Sequence, residues 1–137
     1  MARQKIRYGL MSVDEISFAY HPERLKADFD PNMLQLGFDN SLEALDGQNE
    51  QITIDFGVKY MYKGEEILQS IYAYHFVVDG LTKYVKLDKN NQVEVETIMP
   101  RLLNTALETM RGIILARTAG TPLAKCPLPI FDVEETK

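Results

Sequence analysis

A chain of 137 residues, 45% apolar and 26% charged, is long enough to bury one domain core, and its formal net charge of −5 argues against a nucleic-acid binder, which needs a basic face for phosphates. The single cysteine, Cys126, cannot close an internal disulfide, so a reducing compartment is expected. The opening MARQKIRYGL has no apolar leader core, and no apolar run approaches the ~18 residues of a membrane span. The expectation is a cytoplasmic chain without a membrane span, forming a single domain over residues 1–137.

In chain order, Ile6, Tyr8 and Leu10, then Ile16, Phe18 and Tyr20, share one alternating phase, which predicts a long strand bulged near Met11–Asp14. His21-Pro22 ends it, and Pro22 to Pro31 reads as a polar, irregular connector. Leu34, Leu36, Phe38 and Leu42 alternate in a second strand that fades into Asp46-Gly47-Gln48-Asn49. The third strand is the clearest: Ile52, Ile54, Phe56, Val58, Tyr60 and Tyr62 alternate with polar residues and glycine. Lys63-Gly64-Glu65 is a hairpin signal. From Glu66 to about Val78 the fourth strand is apolar on both faces, with Leu68, Tyr72, Tyr74, Phe76 and Val78 against Ile67, Ile71, Ala73 and Val77. Such a strand is expected to lie centrally or to be covered twice. Asp79-Gly80 ends it, no period assigns a state to Leu81–Asn91, and Val93–Glu96 leads into a helix.

That helix is the only long one. Ile98, Met99, Leu102, Leu103, Ala106, Leu107, Met110, Ile113, Ile114 and Leu115 recur at three- and four-residue intervals. Thr97 is the expected N-cap and Pro100 fits the first turn, where its missing N–H has no helical partner to lose. Gly120 supplies a left-handed closing residue and Pro122 forbids resumption. About 20 residues make a helix about 30 Å long. The predicted class is α+β: a four-stranded antiparallel sheet followed by one long amphipathic helix packed on one side.

Catalytic signals are sparse. His21 and His75 sit in no metal-ligand or nucleophile pattern, and no glycine-rich phosphate loop occurs, so neither catalysis nor a metal or cofactor is expected. Tyr60, Tyr62, Tyr72 and Tyr74 read as a cross-strand aromatic ladder. Alternatively, Tyr60, Tyr72, Tyr74 and His75 line a small-ligand pocket of a hot-dog-like enzyme, against which stands a helix that comes last in the chain. Apolar surface is the stronger signal. Pro122 to Phe131 is an apolar connector stiffened by three prolines (Pro122, Pro127, Pro129). It either seals its own core or, with helix and sheet edge, lines a groove for apolar segments of other chains. A self-assembling scaffold would consume the same surplus.

The order of these elements and several strings resemble the bacterial export chaperone family SecB. They are Val13-Asp14-Glu15-Ile16-Ser17-Phe18, Lys63-Gly64-Glu65-Glu66, Phe76-Val77-Val78-Asp79-Gly80-Leu81, Ile98-Met99-Pro100-Arg101 with Arg117 at the helix end, and Leu128-Pro129-Ile130-Phe131-Asp132. The resemblance implies a dimer of dimers that holds non-native polypeptides without ATP in apolar grooves, as an aid to protein transport or for one specific client. It implies polypeptide binding by Leu123, Leu128, Pro129, Ile130 and Phe131, with Leu34, Leu36 and Phe38 beside them. It implies an oligomer interface at Leu103, Leu107, Met110 and Ile114, so that Leu107→Asp or Met110→Asp is expected to dissociate a tetramer. Glu15 matches one acid used for docking the export motor, whereas Ala19 replaces a second. Only Asp132 to Lys137 follow Phe131, where the family has a second helix.

Overall fold

Four strands, β1 (Tyr8–Tyr20), β2 (Leu34–Asp46), β3 (Gln51–Tyr62) and β4 (Glu65–Val78), form one antiparallel sheet in the order β1-β4-β3-β2. The computed structural model describes residues 6–87, 89–90, 93–95 and 97–128. Across one sheet face lies α1 (Met99–Thr118), the only α-helix among the described residues. The class is therefore α+β, with the four strands and the one long helix that hydrophobic periodicity predicts.

The strand order matters more than the strands themselves. Because β4 and β3 lie between β1 and β2, the connector from His21 to Met33 must cross the end of the sheet. It is pinned there by the His21 N–H on the Ile67 carbonyl (2.8 Å) and by Arg24 Nη1 on the Glu66 carbonyl (2.6 Å). Farther along, the Phe29 ring meets Tyr62 edge-on at 5.0 Å and Tyr62 Oη accepts the Asp30 N–H. Leu25 reaches the core from this connector.

Alternation sets which face is buried. On β3 every second residue from Ile52 to Tyr62 is buried, and on β4 so are Leu68, Ser70, Tyr72, Tyr74, Phe76 and Val78. The two-residue turn Lys63-Gly64, with positive φ at both positions, joins these strands in the geometry whose twist suits a hairpin. Between Tyr60 and Met61 the β3–β4 register shifts by one, leaving Ile67 as an extra residue on β4. That bulge turns Ile67 into the core beside Leu68, so the second face of β4 is less apolar than its sequence reads. It presents Gln69, Ile71, Ala73, His75 and Val77, and β4 is central between β1 and β3. Strand β1 carries two shifts, at Leu10/Ser12 and Glu15/Ser17, rather than one bulge near Met11–Asp14. Each reverses the inward phase, so Tyr8 and Leu10 give way to Val13 and Glu15 and then to Phe18 and Tyr20. Ile16, predicted to share the inward phase, sits at the second bulge and is exposed.

The helix runs alongside β1. Its first turns meet the start of that strand, where Tyr8 Oη donates to the Arg101 carbonyl (3.3 Å) and lies 3.1 Å from Thr105 Oγ1. Leu102, Ala106, Leu107, Met110 and Ile114 face the sheet and are buried. Ser70 on β4 donates to the Met110 thioether at 3.1 Å, although sulfur is a weak acceptor. Thr97 is not the cap: Ile98 takes that place without a side-chain hydrogen bond, and the Ile98 and Met99 N–H groups both donate to the Val95 carbonyl. Burial of the Ile98 side chain fixes the helix entry in place of a hydroxyl. Pro100 sits in the first turn as predicted, and Gly120, at φ +80°, takes the left-handed conformation just past the helix. Leu81–Asn91, which carries no clear period, opens with a 3-10 turn at Leu81–Tyr84, and β5 (Lys86–Leu87) pairs with β6 (Val93–Glu94).

Tyr74 is fully buried, and its hydroxyl has no hydrogen-bond partner among the described residues. Burial, followed by the neighbouring Tyr72, pushes its ionisation far up, so it stays neutral. A buried hydroxyl without a partner costs about 1–3 kcal/mol. Tyr74→Phe is therefore expected to raise the melting temperature by about 2–12 °C in a thermal melt; a fall would mean the hydroxyl has a partner.

Candidate functional site

Two connectors converge at the end of the sheet where β1 and β3 finish. One is the crossover from β1 to β2. The other follows α1, where Tyr20 Oη meets Thr121 Oγ1 (2.5 Å) and Tyr60 Oη donates to the Cys126 carbonyl (3.2 Å). Between them opens a cleft of about 730 Å³, within the range of ligand-binding clefts. Leu25, Lys26, Ala27, Phe29 and Pro31 form the crossover wall. Gly120, Thr121, Pro122, Ala124 and Lys125 form the opposite wall.

The cleft leads onto an apolar strip. Phe29 lies against Tyr62, which pairs with Leu34; then Leu36 pairs with Tyr60 and Phe38 with Val58. Paired residues in an antiparallel ladder share a face, so Leu34, Leu36 and Phe38 look toward the helix side of the sheet. The helix packs over β4 and β3 and is hydrogen-bonded to β1 at both of its ends, and no residue of edge strand β2 is buried. Leu36 is 36% and Phe38 41% exposed, although Phe38 stacks on Phe56 with centroids 6.2 Å apart. From Leu34 to Phe38 the strip runs about 13 Å along β2, next to the cleft through the Phe29–Tyr62 contact, and Phe38 also borders a separate depression with Gly37 and Gln69.

The expected site residues separate accordingly. Leu34, Leu36 and Phe38 are brought together on this strip. Leu123 and Leu128 are buried and seal the core, and the Leu128 carbonyl accepts Arg111 Nε–H at 3.0 Å. Their neighbours Pro122, Ala124 and Lys125 line the cleft instead. Pro129, Ile130 and Phe131 lie outside the described residues. The polar pattern of Pro22 to Pro31 predicts only a connector for the crossover wall; the signal within it is Leu25 and Phe29, two large apolar residues in an otherwise polar stretch.

Expected interface residues Leu107, Met110 and Ile114 are spent on the chain's own core, because the apolar stripe of α1 faces the sheet. Leu103 is only partly buried, and Leu115 is the large apolar side chain of α1 that is most exposed, at 38%. Glu15 accepts hydrogen bonds from Tyr72 Oη (2.9 Å) and from Arg117, whose guanidinium lies 3.7 Å from the centre of the Phe18 ring. This cluster fastens the end of α1 to β1 and β4. The Tyr72 hydroxyl, and then Arg117, hold the Glu15 carboxyl below its ordinary 4.5. A depressed carboxyl stabilises the fold above its unfolded value and loses that contribution as pH falls through its folded value. Wild type is expected to lose more melting temperature than Glu15→Gln between neutral pH and about pH 3; parallel curves would remove Glu15 from the acid response.

Tyr60, Tyr72 and Tyr74 do not share a pocket with His75. The tyrosines face the helix, whereas His75 lies on the open face, between Thr53 Oγ1 (2.9 Å from Nδ1) and Asp14 Oδ2 (2.8 Å from Nε2). The tyrosines also form no ladder with one another: Phe56 contacts both Phe38 and Tyr74, and Tyr62 contacts Phe29. The open face has two shallow depressions of about 280 and 300 Å³ that share Asp39, Gly57 and Ile71. Among the described residues no group of three or more His, Cys, Asp and Glu is placed to hold a metal ion, and no helix is long and apolar enough to cross a membrane. No protein-family model, curated protein or solved structure matches the chain.

Proposed function

We propose that the chain is a non-enzymatic, ATP-independent binder of non-native polypeptides, working in the cytoplasm as a SecB-like chaperone, in protein export or for a specific client. The observation that carries this is the adjacency, through the Phe29–Tyr62 contact, of the two-connector cleft to the incompletely covered strip Leu34-Leu36-Phe38 on β2. An extended segment lying there buries apolar side chains and can add backbone hydrogen bonds along an edge strand, without needing one sequence. The division of the tyrosines and His75 between opposite faces favours this over a small-ligand enzyme. The sequence resemblance supports it independently. A homo-oligomer belongs to the proposal, with the exposed Leu115 and the partly buried Leu103 as its helix surface in place of Leu107, Met110 and Ile114. Motor docking through Glu15 is the weaker part, since that carboxylate is already engaged by Arg117 and Tyr72.

The test is aggregation of a chemically denatured protein after dilution, followed by light scattering. Suppression at near-stoichiometric ratio and without nucleotide is expected. Unchanged scattering, together with no binding of extended apolar peptides, removes the proposal.

A further inference from the structure

The cleft carries a charge opposite to that of the whole chain. Its two charged lining residues are Lys26 and Lys125, one from each connector, in a chain whose formal net charge is −5. Both are exposed, and neither forms an ion pair among the described residues. The nearby acids are turned elsewhere. Asp28 lies 4.0 Å from Lys63, and Asp30 accepts the Asn32 N–H to cap a turn; neither lines the cleft. Between the lysines the walls are apolar, with Leu25, Phe29 and Pro122.

We infer that this cleft selects polypeptide segments in which an apolar side chain is flanked by carboxylates, which rests on its being the client-binding site proposed above. The apolar side chain would enter between Phe29 and Pro122 while flanking acids pair with Lys26 and Lys125 at the two rims. Charges beyond the Debye length of about 8 Å are largely screened at physiological salt, so the rim outweighs the distant net charge. An acidic chain without such a rim would instead favour basic segments, which makes the preference diagnostic.

Two labelled peptides decide it, sharing one apolar centre and flanked by glutamates in one and by lysines in the other. Binding is read by fluorescence anisotropy at physiological and high salt. The glutamate-flanked peptide is expected to bind about tenfold tighter, from two partly exposed ion pairs. High salt should erase the difference, and the Lys26→Glu/Lys125→Glu variant should reverse it while keeping the wild-type melting curve. Equal, salt-insensitive binding of both peptides would overturn the charge selection but leave the cleft as a client site. Tighter binding of the lysine-flanked peptide would overturn it as well. Failure of both to bind would remove the client site itself, and the selection with it.

Discussion

Replacing Met110 with aspartate is expected to unfold the chain, not to release an assembled partner. Met110 is fully buried between α1 and β4, with Leu107 and Ile114 buried on the same helix face. Ser70 could donate one hydrogen bond to the new carboxylate in place of the thioether, but no cation is paired with Met110 to compensate the charge. An uncompensated buried charge costs about 3–5 kcal/mol or more, against a total stability of about 5–15 kcal/mol for an ordinary domain. Circular dichroism should show a melting transition lowered by ten degrees or more, or none, on the order of that loss. Leu115→Asp is the matched control: its side chain is already partly in water, so its melt should change little. A folded Met110→Asp protein of smaller size and normal melting would mean that this helix face meets another subunit instead of its own sheet.

The second large effect falls on binding. Leu36→Asp with Phe38→Asp is expected to weaken client binding by about tenfold or more, since a client can bury the exposed 36% and 41% of these side chains, about two-fifths of the ~1.5–3 kcal/mol that full burial of each is worth. Stability should fall only modestly, because both side chains are partly exposed in the free chain, although Phe38 gives up its stack on Phe56. Aspartate on β2 also opposes the approach of an apolar segment directly, through the cost of desolvating a charge. The comparison is Ile16→Asp on the open face, which leaves binding unchanged if clients use the helix side. Loss of binding in Ile16→Asp, with none in the β2 variant, would move the client site across the sheet.

The fold was readable where it depends on local pattern. Alternation located the four strands, and three- and four-residue spacing located the helix, because the buried side of each repeats with its own geometry. What alternation does not encode is which layer an apolar face meets. The family resemblance assigns Leu107, Met110 and Ile114 to a subunit interface, whereas the structure buries them against the chain's own sheet. Bulges escaped for a related reason. One extra residue shifts the phase locally, so Ile67 was assigned to the outer face and Ile16 to the inner. The cleft depended on strand order. Only once β4 and β3 lie between β1 and β2 does the stretch around Leu25 and Phe29 cross the sheet end and meet the connector after α1. Alternation placed Leu34, Leu36 and Phe38 on one strand face, and only the family resemblance marked them for binding; neither pattern nor resemblance marked the crossover half of the candidate site.

Amide hydrogen exchange with and without a bound unfolded client tests the central claim most directly. Added protection is predicted in three stretches together: Leu25 to Pro31, Leu34 to Phe38 and Gly120 to Lys125. Protection confined to the open-face stretches around Ile16, Asp55 and Ile71, or no change anywhere at saturating client, would contradict it.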